Sequence, residues 1–324
     1  MPQYKKLRCL YKYQKQPYGG GLRIEKKDMK LIKSNYEILE QKPGLEGIYE
    51  MIETAGRTCY RSQRPEGQTA KDFVDRMIKS GHGAMLEHGT AYLKIPVDWK
   101  LYEEPCLPYR DEIDEYLHNK YSKCTTDEHY IYLSTNYRVI IENEWEDLLE
   151  YLCEPTEHHE KRVTVRFTTS NSIMREFTRH RTMSFAVEST RYCNYSKDKF
   201  NNEITFIAPY WVDDIDIENI DNYLYNQEYI LSGGAISLIN SLFQSEQFYL
   251  KLIKDGAKPQ EAREVLPLAT KCNMVMTGFA SDWEHLFRLR SRIAATGKPH
   301  PDMQALIDPL MDEFVARGYM ESLV

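Results

Sequence analysis

The sequence predicts a mixed α/β chain of the α+β kind. Strand-like alternation appears around residues 29–39, 89–96 and 163–169. Helical spacing fills much of the remainder, and Gly and Pro mark several of the joins, as at Gly81 and Pro96. The 324 residues allow one large or two ordinary domains, at roughly 100–200 residues each. Apolar residues at 42% and charged residues at 28% are usual for a soluble globular chain.

Residues 1–28 are rich in Tyr, Lys and Gln, carry eight Lys/Arg against Glu25 and Asp28, and contain Gly19-Gly20-Gly21. They read as a flexible extension, dispensable for activity, with the patterned domain starting at Met29 and running to 324. MetLysLeuIleLysSerAsnTyrGluIleLeu (29–39) then reads as a strand. Two helices follow, over 45–56 and 69–80; in the second, Phe73, Met77 and Ile78 recur at helical spacing before Gly81. A Gly- and His-containing turn, 81–88, leads to a strand that Pro96 ends.

The stretch 99–135 is acidic, Tyr-rich and broken by Pro105 and Pro108, and it shows neither helical nor strand period. It reads as a surface excursion within an enlarged connection, 99–160, between core strands. A helix is expected from 136–142 to about 152. Residues 163–169 place Val163, Val165 and Phe167 on one face of a strand, and Ser170 or Asn171 is positioned to cap the helix after it. Residues 220–255 form a long amphipathic pattern. Pro259, Glu261 and Glu264 suit the first turn of a helix that Pro267 stops. Ser281-Asp-Trp-Glu284 reads as a capping box, and a last helix spans 301–317.

Composition excludes several classes. No apolar run approaches ~18 residues, so no membrane span is expected. Seven scattered cysteines without Cys-x-x-Cys argue against a disulfide scaffold or zinc ribbon and for a reducing cytoplasm. A net charge of −7 argues against general nucleic-acid binding. There is no Gly-x-Gly-x-x-Gly, no Walker loop and no Gly-x-Ser-x-Gly elbow. His82, Glu87 and His88 lack the His-Glu-x-x-His spacing of a zinc peptidase, and no metal site is expected.

The positive charge gathers in short segments. Arg179, Arg181 and Arg191 accompany His180, Ser184, Glu188, Ser189 and Thr190 within fourteen residues flanked by apolar patterns. Burying such density without a ligand is costly, so the segment reads as a site for a small anion, which the planar fork of Arg clamps bidentately. For any one Arg the plain alternative is a surface ion pair. Arg263-Glu-Val-Leu-Pro267 and His285-Leu-Phe-Arg288-Leu-Arg290 are two further basic segments.

Together these segments resemble the flavin-dependent thymidylate synthase family. Arg179-His180-Arg181, seven residues and then Ser189 match its signature. In chain order, residues 81–88 are similar to its His-containing loop, Ala262-Arg263-x-Val265-Leu266-Pro267 to a family helix, and Leu289-Arg290, with His285 five residues before Arg290, to a family segment. Ala84 stands where the family has Thr, Phe279 where it has Asn, and Ala186-Val187 where many members have Asn-Glu, with the carboxylate following as Glu188.

The resemblance implies a single domain with a central, mostly antiparallel sheet flanked by helices. It implies reductive methylation of dUMP to dTMP, with methylenetetrahydrofolate as carbon donor and FAD carrying hydride from NADPH. It assigns Glu176, Arg179, Glu188, Ser189, Thr190, Arg191, Arg263 and Arg290 to dUMP, with Arg290 catalytic. His82, Arg179, His180, Arg181, Phe279, Ala280, Ser281 and His285 fall to FAD. A homotetramer with shared active sites is implied as well. Two alternatives follow from the departures: a related flavin/folate enzyme acting on another pyrimidine nucleotide, and a catalytically silent nucleotide-binding homologue.

Overall fold

The computed structural model describes residues 29–98, 108–191, 193–195, 203–226, 230–295 and 297–323. The proposed extension 1–28 and the start of the excursion, 99–107, lie outside them. The helices are α1 (Gly44–Tyr60), α2 (Ala70–Lys79), α3 (Pro108–His118), α4 (Tyr137–Glu142), α5 (Asn171–Phe177), α6 (Asp214–Glu218), α7 (Ala235–Lys254), α8 (Pro259–Ala262), α9 (Ala280–Arg290) and α10 (Pro301–Ala316). The strands are β1 (Lys30–Ile32), β2 (Asn35–Leu39), β3 (Thr90–Pro96), β4 (Lys123–Thr126), β5 (Tyr130–Asn136), β6 (Arg162–Ser170), β7 (Ser184–Val187), β8 (Thr205–Ile207) and β9 (Lys271–Phe279).

A mixed chain with antiparallel sheets is thus what forms, its strands divided among three sheets. The four-stranded sheet has order β2-β6-β9-β7 and is antiparallel throughout. Val163, Val165 and Phe167 on β6 are buried as their alternation predicts, packing with Phe177, Trp283, Phe287 and Phe314 from α5, α9 and α10. On the β7 side, Ala55 and Cys59 of α1 pack against Ala186 and Val275. The strand expected at 29–39 divides at Lys33-Ser34: β2 joins this sheet, whereas β1 pairs in parallel with β8. The β1/β8 pair belongs to a separate core with α7. There Glu246 is 2% exposed, its carboxylate accepting the Ile204 N–H at 2.7 Å. Burial, with a smaller contribution from Glu203, pushes its pKa up to about 7.

The third sheet, β3-β5-β4, corrects the reading of 99–135 as irregular surface. From Pro108 onward that stretch is α3, β4 and β5, and β5 is the central strand. Ile131 and Leu133 are fully buried and Tyr132 is 4% exposed. A strand covered on both faces shows no alternation, which is why its period was not visible. Three further expectations shift. The helix from 136 stops at Glu142; the chain turns through Glu144 at φ 59°, then continues as a 3-10 helix over Glu146–Tyr151. The 220–255 pattern becomes a π-helical turn and α7, divided around Gly233 and Gly234. No capping box forms at Ser281–Glu284: α9 starts two residues earlier, where Asp282 accepts the Phe279 N–H at 3.1 Å, while Glu284 pairs with Arg288 at 2.7 Å.

Other local signals hold. Ser170 caps α5 through the Ile173 N–H, and Pro259 opens α8, where Glu261 accepts the Lys258 N–H at 2.8 Å. No helix among the described residues is long and apolar enough to cross a membrane. The burial of β5 yields a direct test. Leu133→Ala should cost about 2–5 kcal/mol, as for other large-to-small changes in a closed core. Denaturant unfolding measures this, and a cost under about 0.5 kcal/mol would return the segment to the surface.

Candidate active site

Two groups of the residues singled out above gather at opposite ends of β7. The first lies where α5 and α9 end. Arg290 donates from Nη1 to Glu176 Oε2 at 2.9 Å, both side chains being about one-fifth exposed. Its Nε also donates to His180 Nε2 at 3.5 Å. His180 must therefore present a lone pair at Nε2, which leaves its proton on Nδ1. Burial, then the positive charge of Arg290 and the neighbouring His285, lowers the His180 pKa to about 4. The ring of His285 meets that of His180 edge-on at 6.2 Å and is itself exposed. Arg179 and Arg181 flank this buried, neutral imidazole as exposed cations.

Strand β7 then carries the chain about 13 Å, four residues at ~3.3 Å each. At its far end Glu188 turns its carboxylate inward, where it is 1% exposed. Oε2 accepts from Lys271 Nζ at 3.0 Å and from the Asn273 N–H at 3.2 Å, while Arg61 Nη1 stands 3.7 Å from Oε1. The neighbouring residues are held as firmly. The Ser189 N–H donates to the Cys59 carbonyl at 2.9 Å, and the Ser189 hydroxyl accepts the Arg191 N–H at 3.3 Å. Arg263 reaches across to Thr190 Oγ1 at 3.5 Å, and Arg191 Nε donates to Gln260 Oε1 at 3.2 Å. The α8 turn is thereby docked on Ser189–Thr190–Arg191, with both Arg side chains exposed.

The remaining residues stand elsewhere. His82 precedes the 3-10 turn Gly83–His88 with its side chain exposed. His88 is fully buried and bonds to Thr277 Oγ1 at 2.8 Å, and burial beside Arg162 lowers its pKa to about 3. Phe279 is buried, with the Arg162 guanidinium 5.3 Å from its ring centre. The N–H groups of Phe279, Ala280 and Ser281, which the resemblance offers to FAD, donate to Asp282, the Lys161 carbonyl and Glu160 at 3.1, 2.8 and 3.0 Å.

Two residues that fix the site were not singled out from the sequence. Lys271 opens β9 and is 7% exposed; a lysine heading a mostly apolar strand is a usable signal, since buried Lys is almost always paired. Arg61 carried no signal, because its contact with Glu188 spans distant segments. No group of three or more His, Cys, Asp or Glu among the described residues is arranged to hold a metal ion.

Residues 121–316, more than half of the chain, match the model of the thymidylate synthase complementing protein family, and the chain belongs to that family. A flavin-dependent thymidylate synthase from Haloarcula marismortui is 28% identical over 141 residues. That match covers 42% of this chain and spans 57% of the relative's length. A UMP/dUMP methylase from Streptomyces cacaoi bound with 5-Br UMP is 15% identical at a TM-score of 0.41, over 89% of this chain and 92% of that one. Thymidylate synthase X from Helicobacter pylori, with FAD and dUMP, is 15% identical at a TM-score of 0.36, over 86% and 92%.

The neutrality of His180 is directly measurable. Its imidazole should titrate near 4 by NMR. In Arg290→Gln the midpoint should rise yet stay below 6.5, because burial is the larger cause and remains. A wild-type midpoint at 6.5 or above would remove the buried acceptor from the site.

Proposed function

We propose that this protein converts dUMP to dTMP, taking the carbon from methylenetetrahydrofolate and using FAD reduced by NADPH. The observation that carries the reading is the docking of Arg263 on Thr190 beside Ser189 and Arg191. Segments far apart in the sequence converge there into a cluster of cations and hydroxyls suited to a phosphate dianion. Charge-assisted hydrogen bonds to such a group contribute on the order of 1.5–3 kcal/mol each. Glu188 acts in this reading by clamping the start of the loop against Lys271 rather than by touching substrate.

Arg179, Arg181, His82 and His285 are the side chains we assign to FAD. The donor set fits: exposed cations and imidazoles suit a pyrophosphate, and neutral His180 suits a polar but uncharged contact. The bound flavin supplies hydride chemistry that no side chain of this chain offers. The backbone at Phe279–Ser281 is engaged internally, so its share in holding the cofactor is the smaller one.

Arg290 is the catalytic cation of this scheme, and Glu176 belongs to the same cluster. Attack by uracil C5 on the one-carbon unit draws electron density from the N3/O4 edge, and a permanent positive charge there stabilises the charge that grows in the transition state. Glu176 and His180 fix the guanidinium from two sides, so it is oriented before substrate arrives. The phosphate cluster and the Arg290 cluster occupy opposite ends of β7. A site drawing one end from each of two copies would reconcile them, and it fits the homotetramer that the family resemblance implies.

Steady-state dTMP formation, with flavin absorbance measured alongside, tests this. Arg290→Ala should lower turnover by about 10²–10³ with flavin content near wild type. Arg290→Lys should recover little, because a point charge lacks the planar fork. Near-normal turnover in the Ala variant would sink the catalytic assignment, and protein that stays colourless after incubation with FAD would sink the flavin chemistry.

A further inference from the structure

Beside Glu188, an open groove lies between the C-terminal end of α1 and the polar face of β6 and β9. Arg57, Thr58, Arg61 and Ser62 line one wall, and Arg166 and Asn273 the other. The other two lining residues are threonines, so the groove presents three guanidinium groups and no carboxylate of its own.

The carboxylates around it are outnumbered. Glu53, 4% exposed, is shared by Arg57 at 2.7 Å and by Arg64, whose Nε lies 2.9 Å from Oε2. Glu188, 5% exposed, is shared by Lys271 and Arg61. Glu37, on the rim, pairs with Arg166. Among the described residues, five cations therefore divide three carboxylates, in a chain whose net charge is −7. Nη2 of Arg57 is buried with no hydrogen-bond partner among them.

Arg61 holds the left-handed C-cap of α1 at φ 43°, ψ 48°, a common way to end a helix, and the Ser62 N–H closes back on the Arg57 carbonyl at 3.3 Å. This turn holds Arg61 between the groove and Glu188.

We propose that this groove is a second anion site, binding the phosphate or carboxylate oxygens of a small ligand through Arg57, Arg61 and Arg166, with Thr58, Ser62 and Asn273 as neutral partners. It is distinct from the phosphate cluster at Thr190, Arg191 and Arg263, and it does not depend on the proposed reaction. Its position next to Glu188 couples the two, since an anion on Arg61 competes with the Glu188 carboxylate that anchors the Ser189 loop.

Calorimetric titration of the full-length protein with pyrophosphate in one arm and tri-γ-glutamate in the other tests the site and separates phosphate from carboxylate ligands. Saturable binding of either probe should weaken roughly tenfold or more in Arg166→Gln and in Arg61→Ala, and should survive in Arg263→Ala. Arg166 is on the strand surface, so its variant keeps the test open should Arg61→Ala fold poorly; thermal melts monitor both. Binding lost in Arg263→Ala but unchanged in Arg166→Gln would place the anion at the Thr190 cluster and overturn the proposal. No saturable binding of either probe to the wild-type protein would do the same.

Discussion

The register of β9 against β6 and β7 is the constraint on which the rest of this structure depends. Nine consecutive residues of β9 pair with β6, and four of them pair also with β7. Arg263 enters ahead of this strand and α9 leaves from its end. Along it, Lys271 and Asn273 hold Glu188, and Thr277 holds His88. A slip of one residue would send every β9 side chain to the opposite face. Lys271 would then leave Glu188 inside an apolar setting without its closest cation, and removing one partner of a buried pair costs about 3–5 kcal/mol. The ladder therefore fixes more than the core: it sets where the basic segments before and after it come to rest.

Much of this was legible in the sequence where a local rule acts alone. The alternation of Val163, Val165 and Phe167 marked a face, Ser170 and Pro259 marked helix starts, and the Arg and His segments marked the candidate site. What escaped notice was set by neighbours. The strand containing Ile131 and Leu133 is covered on both faces and so lost its period. The start of α9 moved by two residues because Asp282 is nearer than Glu284 to a free N–H at the end of β9. Glu188 read as a ligand-facing acid, yet its surroundings turn it inward; neither Arg61 nor Lys271 stands close enough in sequence to have announced that.

Charge is handled in one recurring way. Glu53 and Glu188 are both taken out of water, and each is held between two cations. Such an arrangement compensates the desolvation of the acid while leaving the cations only partly neutralised. The same economy appears at Arg290, where a carboxylate and a neutral imidazole orient the guanidinium without burying it fully. A chain that is acidic on average thereby keeps positive charge where small anions are expected.

Glu246 carries a consequence for proton linkage. Its carboxyl ionises near 7 in the fold, against about 4.5 when the chain is unfolded. Between those values the native state holds a proton that the unfolded chain releases. This contribution to stability is full below about 4.5 and fades as pH rises through about 7. The core built on α7 therefore gives up this contribution between about 4.5 and about 7, at the carboxylate that accepts the Ile204 N–H. His180 and His88 act in the opposite sense, because their depressed values penalise the fold as pH falls below 6.5. The two effects run in opposite directions over much the same acidic range: toward neutrality the layer around Glu246 gives up stability while the central sheet around His180 and His88 gains it.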